Sequence, residues 1–335
     1  MPLQTMKAAA MGRRKKGTPV HGWVVLDKPE GVTSTQAVSR VRRVFDAQKA
    51  GHAGTLDPLA TGVLAVALGE ATKTVPYVMD GEKRYRFTAC WGTATTTDDT
   101  EGTPVASSDH RPTREAILAV LPDFIGEITQ VPPRFSAIKV DGARAYDLAR
   151  EGEEFALEPR TISVRQAALT EMPDTDHAVF EMDCGKGSYV RAWVRDIALA
   201  LGTVAHVTSL RRLKVGSFSA ETAISLETLE ALGHSAAALE HLRPIATALD
   251  DIPALAVSDP DSVRLRSGNP ILIRAAQFAR LTEARDISGT AGDGTDIQGL
   301  TVFLSTTKGE PVALAEVAQG ELRPFRVFNL GSGNA

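Results

Sequence analysis

The chain has 335 residues and little cysteine, only Cys90 and Cys184. Two thiols so far apart make neither a disulfide framework nor a metal-ligand spacing, and they fit a reducing cytoplasm. No apolar run approaches the roughly 20 residues that span a bilayer. The opening MPLQTMKAAAMGRRKKGTPV is basic but never apolar enough for a signal-peptide core. His52, His110 and His206 lie far apart and no HExxH occurs, so no zinc site is expected. GxxxxGK[ST] is absent, as is GxGxxG after a strand, which argues against a phosphate loop or a dinucleotide fold. A GxSxG nucleophile elbow is missing too. Nothing resembles a coiled-coil seam, so a monomer is expected. A net charge of −4 argues against simple coating of nucleic acid.

What is present reads as globular protein, with 43% hydrophobic and 23% charged residues. The length exceeds a typical domain of roughly 100–200 residues and predicts one large domain plus a smaller one. Charge is uneven. Residues 1–20 carry Lys7, Arg13, Arg14, Lys15 and Lys16 with no acid, and read as a disordered basic tail. Positions 184–214 hold Lys186, Arg191, Arg195, Arg211, Arg212 and Lys214 against Asp196 alone. That stripe is either an anion surface or a solvated face.

Trp23 to Leu26 predicts a strand closed by a Lys-Pro-Glu-Gly turn. TSTQAVSRVRRVF predicts a helix capped by Thr33 or Ser34, with Val38, Val41 and Phe45 on one face. GVLAVALG predicts a buried strand, and EKRYRFTACWG a strand leaving a charged turn. The stretch 129–160 has prolines, charges of both signs and one short helix near Ala143 to Arg150, and reads as a flap. SYVRAWVRDIALALG predicts an amphipathic helix that Gly202 ends. Residues 221–249 read as mostly helical. From about 251 the pattern becomes short strands, with a loose Gly-rich loop at 285–299.

Three places carry chemistry. In HAGTLDPLATG, Pro58 keeps Asp57 out of a helix, and Gly54 and Gly62 let the loop turn sharply. Asp57 reads locally either as an Asx-turn residue or as a functional carboxylate that needs a cation. Arg191, two residues after Tyr189, opens a helix after a Gly-Lys-Gly turn. It is either a surface cation or the natural fork for that carboxylate. In EKRYRF, Tyr85 is either a half-buried strand residue or a stacking platform for a nucleobase, with Lys83, Arg84 and Arg86 near phosphates.

KPEGVTST, GHAGTLDPLATGVL, KRYRF, PPRFSAIKVDGARAYDLAR and CGKGSYVRAWVRDIA with AHVTSLRRL occur in this order from about 22 to 218. On these motifs the chain resembles the bacterial tRNA pseudouridine-55 synthase family, TruB. The resemblance implies a cofactor-free isomerase that converts uridine 55 in the T-loop of tRNA to pseudouridine, with no guide RNA and no membrane. Asp57 matches the family's catalytic aspartate, which reverses the local preference for a loop-shaping role. Tyr85 matches the aromatic that stacks on the target base, Arg191 the partner of the aspartate, and Tyr189 its neighbour. Leu210 matches the apolar residue beside the base, and His52 the histidine that holds the flipped-out loop. Lys28, Pro29 and Gly54 match the support of the catalytic loop.

The implied architecture is α+β. A mixed, largely antiparallel sheet of the pseudouridine-synthase type, flanked by helices, spans 21–250, with 129–160 as an RNA-clamping flap. A small PUA-like β domain follows over 251–330. One carboxylate serves any of three routes: addition to C1′, addition to C6, or removal of the C2′ proton. Two competing readings remain, a guide-dependent RNA modifier and a tRNA-folding chaperone without essential catalysis.

Overall fold

The computed structural model describes residues 17–330 apart from Ala137, Asp141 and 289–296. The expected basic tail up to residue 16, and most of the Gly-rich 285–299 loop, lie outside the described residues. Residues 17–20 correct the tail assignment. Thr18 bridges to Ala47, its N–H bonds to the Asp46 carbonyl, and Val20 is buried.

The first half of the chain contains β1 (Gly22–Lys28), α1 (Ser34–Val44), β2 (Ala50–His52), β3 (Thr61–Leu68), α2 (Val75–Asp80), β4 (Lys83–Trp91), β5 (Thr93–Thr95), β6 (Pro104–Ser107), α3 (Arg114–Val120) and β7 (Gly126–Gln130). The flap holds β8 (Lys139–Val140), β9 (Ala143–Arg144) and α4 (Ala145–Arg150). Then come β10 (Arg160–Glu171), β11 (His177–Cys184), α5 (Val190–Ala200), β12 (Ala205–Val215), β13 (Phe218–Ser219), β14 (Ile224–Ser225), α6 (Leu226–Leu232), α7 (Ala236–Leu239) and β15 (Leu242–Arg243).

Eleven of these strands form one sheet with the path β14-β1-β3-β12-β4-β11-β10-β7, flanked by β2, β13 and β15, while β5 pairs with β6 and β8 with β9. Among the described residues of the large sheet, only the β1–β14 and β3–β12 pairs are parallel. The mixed, largely antiparallel sheet expected from the sequence is therefore present. The segment 221–249 is less helical than expected, because β14 and β15 break it to pair with β1.

Local chemistry explains the elements around the later site. Thr33 caps α1, and Gln36 completes a reciprocal capping box. The continuous apolar run of β3 is buried along its length because β1, β2 and β12 all pair with it. The chain has few aromatics, and several of them are buried in one group. Trp193 of α5 meets Phe87 and Phe180 edge-on, at centroid distances of 5.6 and 5.4 Å. This pins α5 against the middle of the sheet.

A second sheet, β16 (Ala254–Val257), β17 (Ile271–Leu272), β18 (Thr301–Thr306), β19 (Pro311–Ala318) and β20 (Glu321–Val327), has the order β16-β18-β19-β20-β17. It also carries α8 (Asp259–Arg266) and the 14-residue α9 (Ala275–Ser288), so the C-terminal part is less purely β than its sequence suggested. Helix α9 takes in the start of the stretch expected to be loop.

Candidate active site

Asp57 sits in the loop that leads into β3. Its carbonyl accepts from the Ala60 amide, so Asp57-Pro58-Leu59-Ala60 is a turn with proline at its second position. Three buried contacts hold the loop from below. Ser34 Oγ donates to the Leu56 carbonyl at 3.0 Å and accepts from the Leu56 amide at 2.8 Å. Lys28, fully buried, donates to the carbonyls of Pro29, Val32 and Pro58. Burial lowers its ammonium to about 8, against an upward pull from Asp57. Gly62 closes the loop at φ +94°, where a Cβ would lie 2.2 Å from the Arg212 carbonyl.

The Asp57 carboxylate is met by Arg191 from the start of α5. Arg191 Nε donates to Oδ2 at 2.8 Å, and the Arg191 side chain is 3% exposed against 34% for Asp57. The other Arg191 donors reach the Thr97 carbonyl at 2.7 Å and the Phe135 carbonyl at 3.0 Å. A second carboxylate, Asp99, lies 3.4 Å from Nε and is as buried as the arginine. One guanidinium therefore serves two acids and ties the flap root and the 95–102 turn to the Asp57 loop.

A cavity of about 310 Å³ opens over this pair. Its lining brings together Gly54, Asp57, Tyr85, Tyr189, Arg191 and Leu210, six of the residues expected from the sequence. Tyr85 is half-buried on β4 and Leu210 is buried on β12. Burial raises the Tyr85 hydroxyl's pKa, against the nearby Arg212 charge, so the phenol stays neutral. Lys28, Pro29 and His52 are outside the lining. Lys28 lies under the loop, Pro29 is exposed beside it with its carbonyl accepting from Lys28, and His52 is on β2, opposite Val66. Burial lowers the His52 pKa, and the charge on Arg212 lowers it further.

The basic stripe at 184–214 divides: several of its cations are paired with acids, while Lys186 and Lys214 stand exposed. Arg211 pairs bidentately with Asp27, Arg195 with Asp98 and Asp196, and Lys186 with Asp80. The cations around Tyr85 are also spoken for. Asp183 and Glu181 of β11 stand opposite Arg84 and Arg86 of β4 and pair with them across the strands. Lys83 turns inward to the carbonyls of Met79 and Gly81.

Sequence reading missed four residues here. Asp99 had a signal in the acid-rich TTTDDTEG turn. Arg212, 1% exposed, donates to the Val63 and Gly54 carbonyls and so joins β12 to the loop, and only its place in the stripe hinted at it. Gln130 and Arg160 had none, being ordinary polar residues at the flap's ends.

The TruB family pseudouridylate synthase N-terminal model matches residues 42–190, and the tRNA pseudouridylate synthase B C-terminal domain model matches 191–250. A Caulobacter protein called tRNA pseudouridine synthase B is 58% identical over 321 residues, which is 96% of this chain and 100% of that one. A Rhodospirillum rubrum protein of the same name is 49% identical over 96% of this chain and 100% of its own. Among solved structures, a Cbf5-Nop10-Gar1 complex aligns with a TM-score of 0.66 at 25% identity, over 92% of this chain and 84% of that one. An H/ACA RNP bound to a substrate RNA aligns at 0.67 over 96% of this chain and 92% of that one; at 24% identity it speaks for the fold alone. The motifs, the sheet and relatives matched over nearly their whole length agree, and the chain belongs to the TruB family of pseudouridylate synthases.

Proposed function

We propose that this chain isomerises uridine 55 in the T-loop of tRNA to pseudouridine, as a stand-alone cytoplasmic enzyme without cofactor or guide RNA. The observation that carries the reading is the Asp57 carboxylate, fixed by a buried Arg191 beneath a cavity lined by Tyr85, Tyr189 and Leu210. The reaction breaks C1′–N1, turns the uracil, and forms C1′–C5. The C5 proton is lost and N1 gains one, so atoms balance without a co-reactant. Asp57 supplies the nucleophile or base. Arg191 holds it in place through a charge-assisted hydrogen bond and aims it at the cavity.

The target base must first leave its stack, which costs a few kcal/mol. Tyr85 offsets about 1–3 kcal/mol of that by stacking. Leu210 and Tyr189 close the cavity so that the detached uracil turns without escaping, and His52 holds the displaced loop from the side. Residues 21–250 form the catalytic domain, 129–160 clamp the RNA, and 251–330 form the PUA-like RNA-binding domain.

The test is an unmodified tRNA transcript incubated with purified protein, with pseudouridine mapped at nucleotide resolution and Asp57→Asn run in parallel. The expected result is one modified site in the T-loop, lost in the variant, with tRNA affinity retained. Tight binding with no modified nucleotide would overturn the reading and favour a folding chaperone.

A further inference from the structure

The flap leaves the sheet at Gln130 of β7 and re-enters it at Arg160 of β10, and these two residues are partners across the strands. Both reach Tyr189. The buried Gln130 side chain clamps the Tyr189 backbone, accepting from its amide at 2.9 Å and donating to its carbonyl at 3.1 Å. The Arg160 guanidinium lies over the Tyr189 ring, 5.1 Å from its centroid.

Arg160 differs from the other cations of the cavity wall. Arg191 is spent on carboxylate and carbonyl oxygens, Arg212 on two carbonyls, Lys83 on two more, and Lys186 on Asp80. Arg160 Nε and Nη2 are shielded from solvent, yet among the described residues they have no hydrogen-bond partner. These two donors form one edge of the planar fork, the edge spaced for two oxygens of a single oxyanion. Shielded charged donors without acceptors are costly, so such a pair is matched to an incoming group. Gly187 flanks the guanidinium, and a Cβ there would already stand 3.9 Å from its Cζ. The same wall contains the start of α5, whose N-cap Tyr189 supplies no side-chain cap.

We propose that Arg160 binds a backbone phosphate of the RNA, at or next to the nucleotide whose base enters the cavity, while its flat face pins the Tyr189 ring. This rests on the reading that the cavity takes a flipped-out uridine of tRNA. A phosphate that reaches the shielded edge of the fork, as the wall gives way to the incoming nucleotide, orders the flap root and the pocket wall together, because Arg160 belongs to both.

The experiment is a binding cycle on T-arm hairpins, each with one loop phosphate neutralised as a methylphosphonate. Wild type, Arg160→Gln and Arg160→Lys are compared across salt concentrations, and pseudouridine is assayed on the unsubstituted hairpin. The expected result is one phosphate, at or beside the target, whose neutralisation weakens wild type roughly tenfold and adds nothing to Arg160→Gln. The slope of log affinity against log salt should also fall by about 0.7 in Arg160→Gln and stay unchanged in Arg160→Lys. Neutralisation effects that are equal in wild type and Arg160→Gln at every phosphate would overturn the assignment. The arm that neutralises the RNA uses unaltered protein, so misfolding of a variant cannot imitate the result. Wild type that binds but forms no pseudouridine would sink the functional reading, and the binding cycle would still decide Arg160.

Discussion

Arg191 is shared between the proposed catalytic carboxylate, Asp57, and the buried Asp99, and truncating it should affect both. Arg191→Ala leaves Asp99 buried without its cation, so stability should fall by about 3–5 kcal/mol in urea unfolding. Adding Asp99→Asn should restore part of that stability but none of the pseudouridine formation. Lys28 makes a different prediction. Burial places its folded pKa near 8, below its ordinary value of 10.5. Between those values the unfolded chain holds a proton that the folded chain has shed. Stability contributed by this group is therefore complete above about pH 10.5 and is lost as pH falls through about 8. Wild type should gain on Lys28→Met by up to about 1.4 kcal/mol per pH unit across that window, with a flat difference below it. Urea midpoints at pH 7, 8, 9 and 10 check this.

At the scale of elements, the Asp57 loop is held by the ends of its neighbours. Ser34→Ala strips both hydrogen bonds from the buried Leu56 peptide and should cost about 1–3 kcal/mol, with turnover falling more than tRNA affinity. Thr33→Ala, one residue earlier, removes only a helix cap and should cost about 1 kcal/mol with turnover intact. Thermal unfolding and steady-state kinetics of the two variants separate a loop anchor from a cap. Two glycines form a similar pair. Both have positive φ, so alanine costs about 1–3 kcal/mol of backbone strain at either. At Gly62 the new Cβ also meets the Arg212 backbone at 2.2 Å, whereas at Gly54 the contact is with Arg212 Nη1 at the looser 3.3 Å. Gly62→Ala should therefore lower the melting temperature more, and should part β3 from β12 where they pair.

At the scale of the whole molecule, the two sheets share apolar surface. Phe303, Leu314 and Phe328 of the C-terminal part pack in one cluster with Trp23, Val25 and Phe218. Lys73 Nζ donates to the Val327 carbonyl at 2.7 Å, and Glu70 accepts from the Asn329 amide at 2.7 Å. Ending the chain at residue 250 should uncover the cluster around Trp23, which is 0% exposed in the full chain. A red-shifted emission that Trp23→Phe abolishes, with early aggregation on heating, is the expected outcome. Unchanged emission would show that the catalytic sheet closes this cluster by itself.

Local signals were legible in the chain. The cap and apolar stripe of α1, the apolar run of β3, the start of α5 and the glycine-proline frame of Asp57 are interactions among residues a few positions apart, and the motif order pointed to the family. The fate of the charges was not legible. Arg211 finds Asp27, Arg84 finds Asp183, and Arg191 finds Asp57 and Asp99 between segments distant in the chain that meet only when it folds. Composition marked 184–214 as basic, yet Arg191, Arg195, Arg211 and Arg212 are taken up by acids and carbonyls of the fold, while Arg160, with no local signal, has Nε and Nη2 without a partner among the described residues. The sequence by itself determined elements such as α1, β3 and α5 and which carboxylate stands in the loop, because propensity, capping and turn chemistry act over short range. Only the tertiary structure decided which charges are neutralised and which face the cavity, because ion pairing and desolvation depend on neighbours that chain order does not reveal.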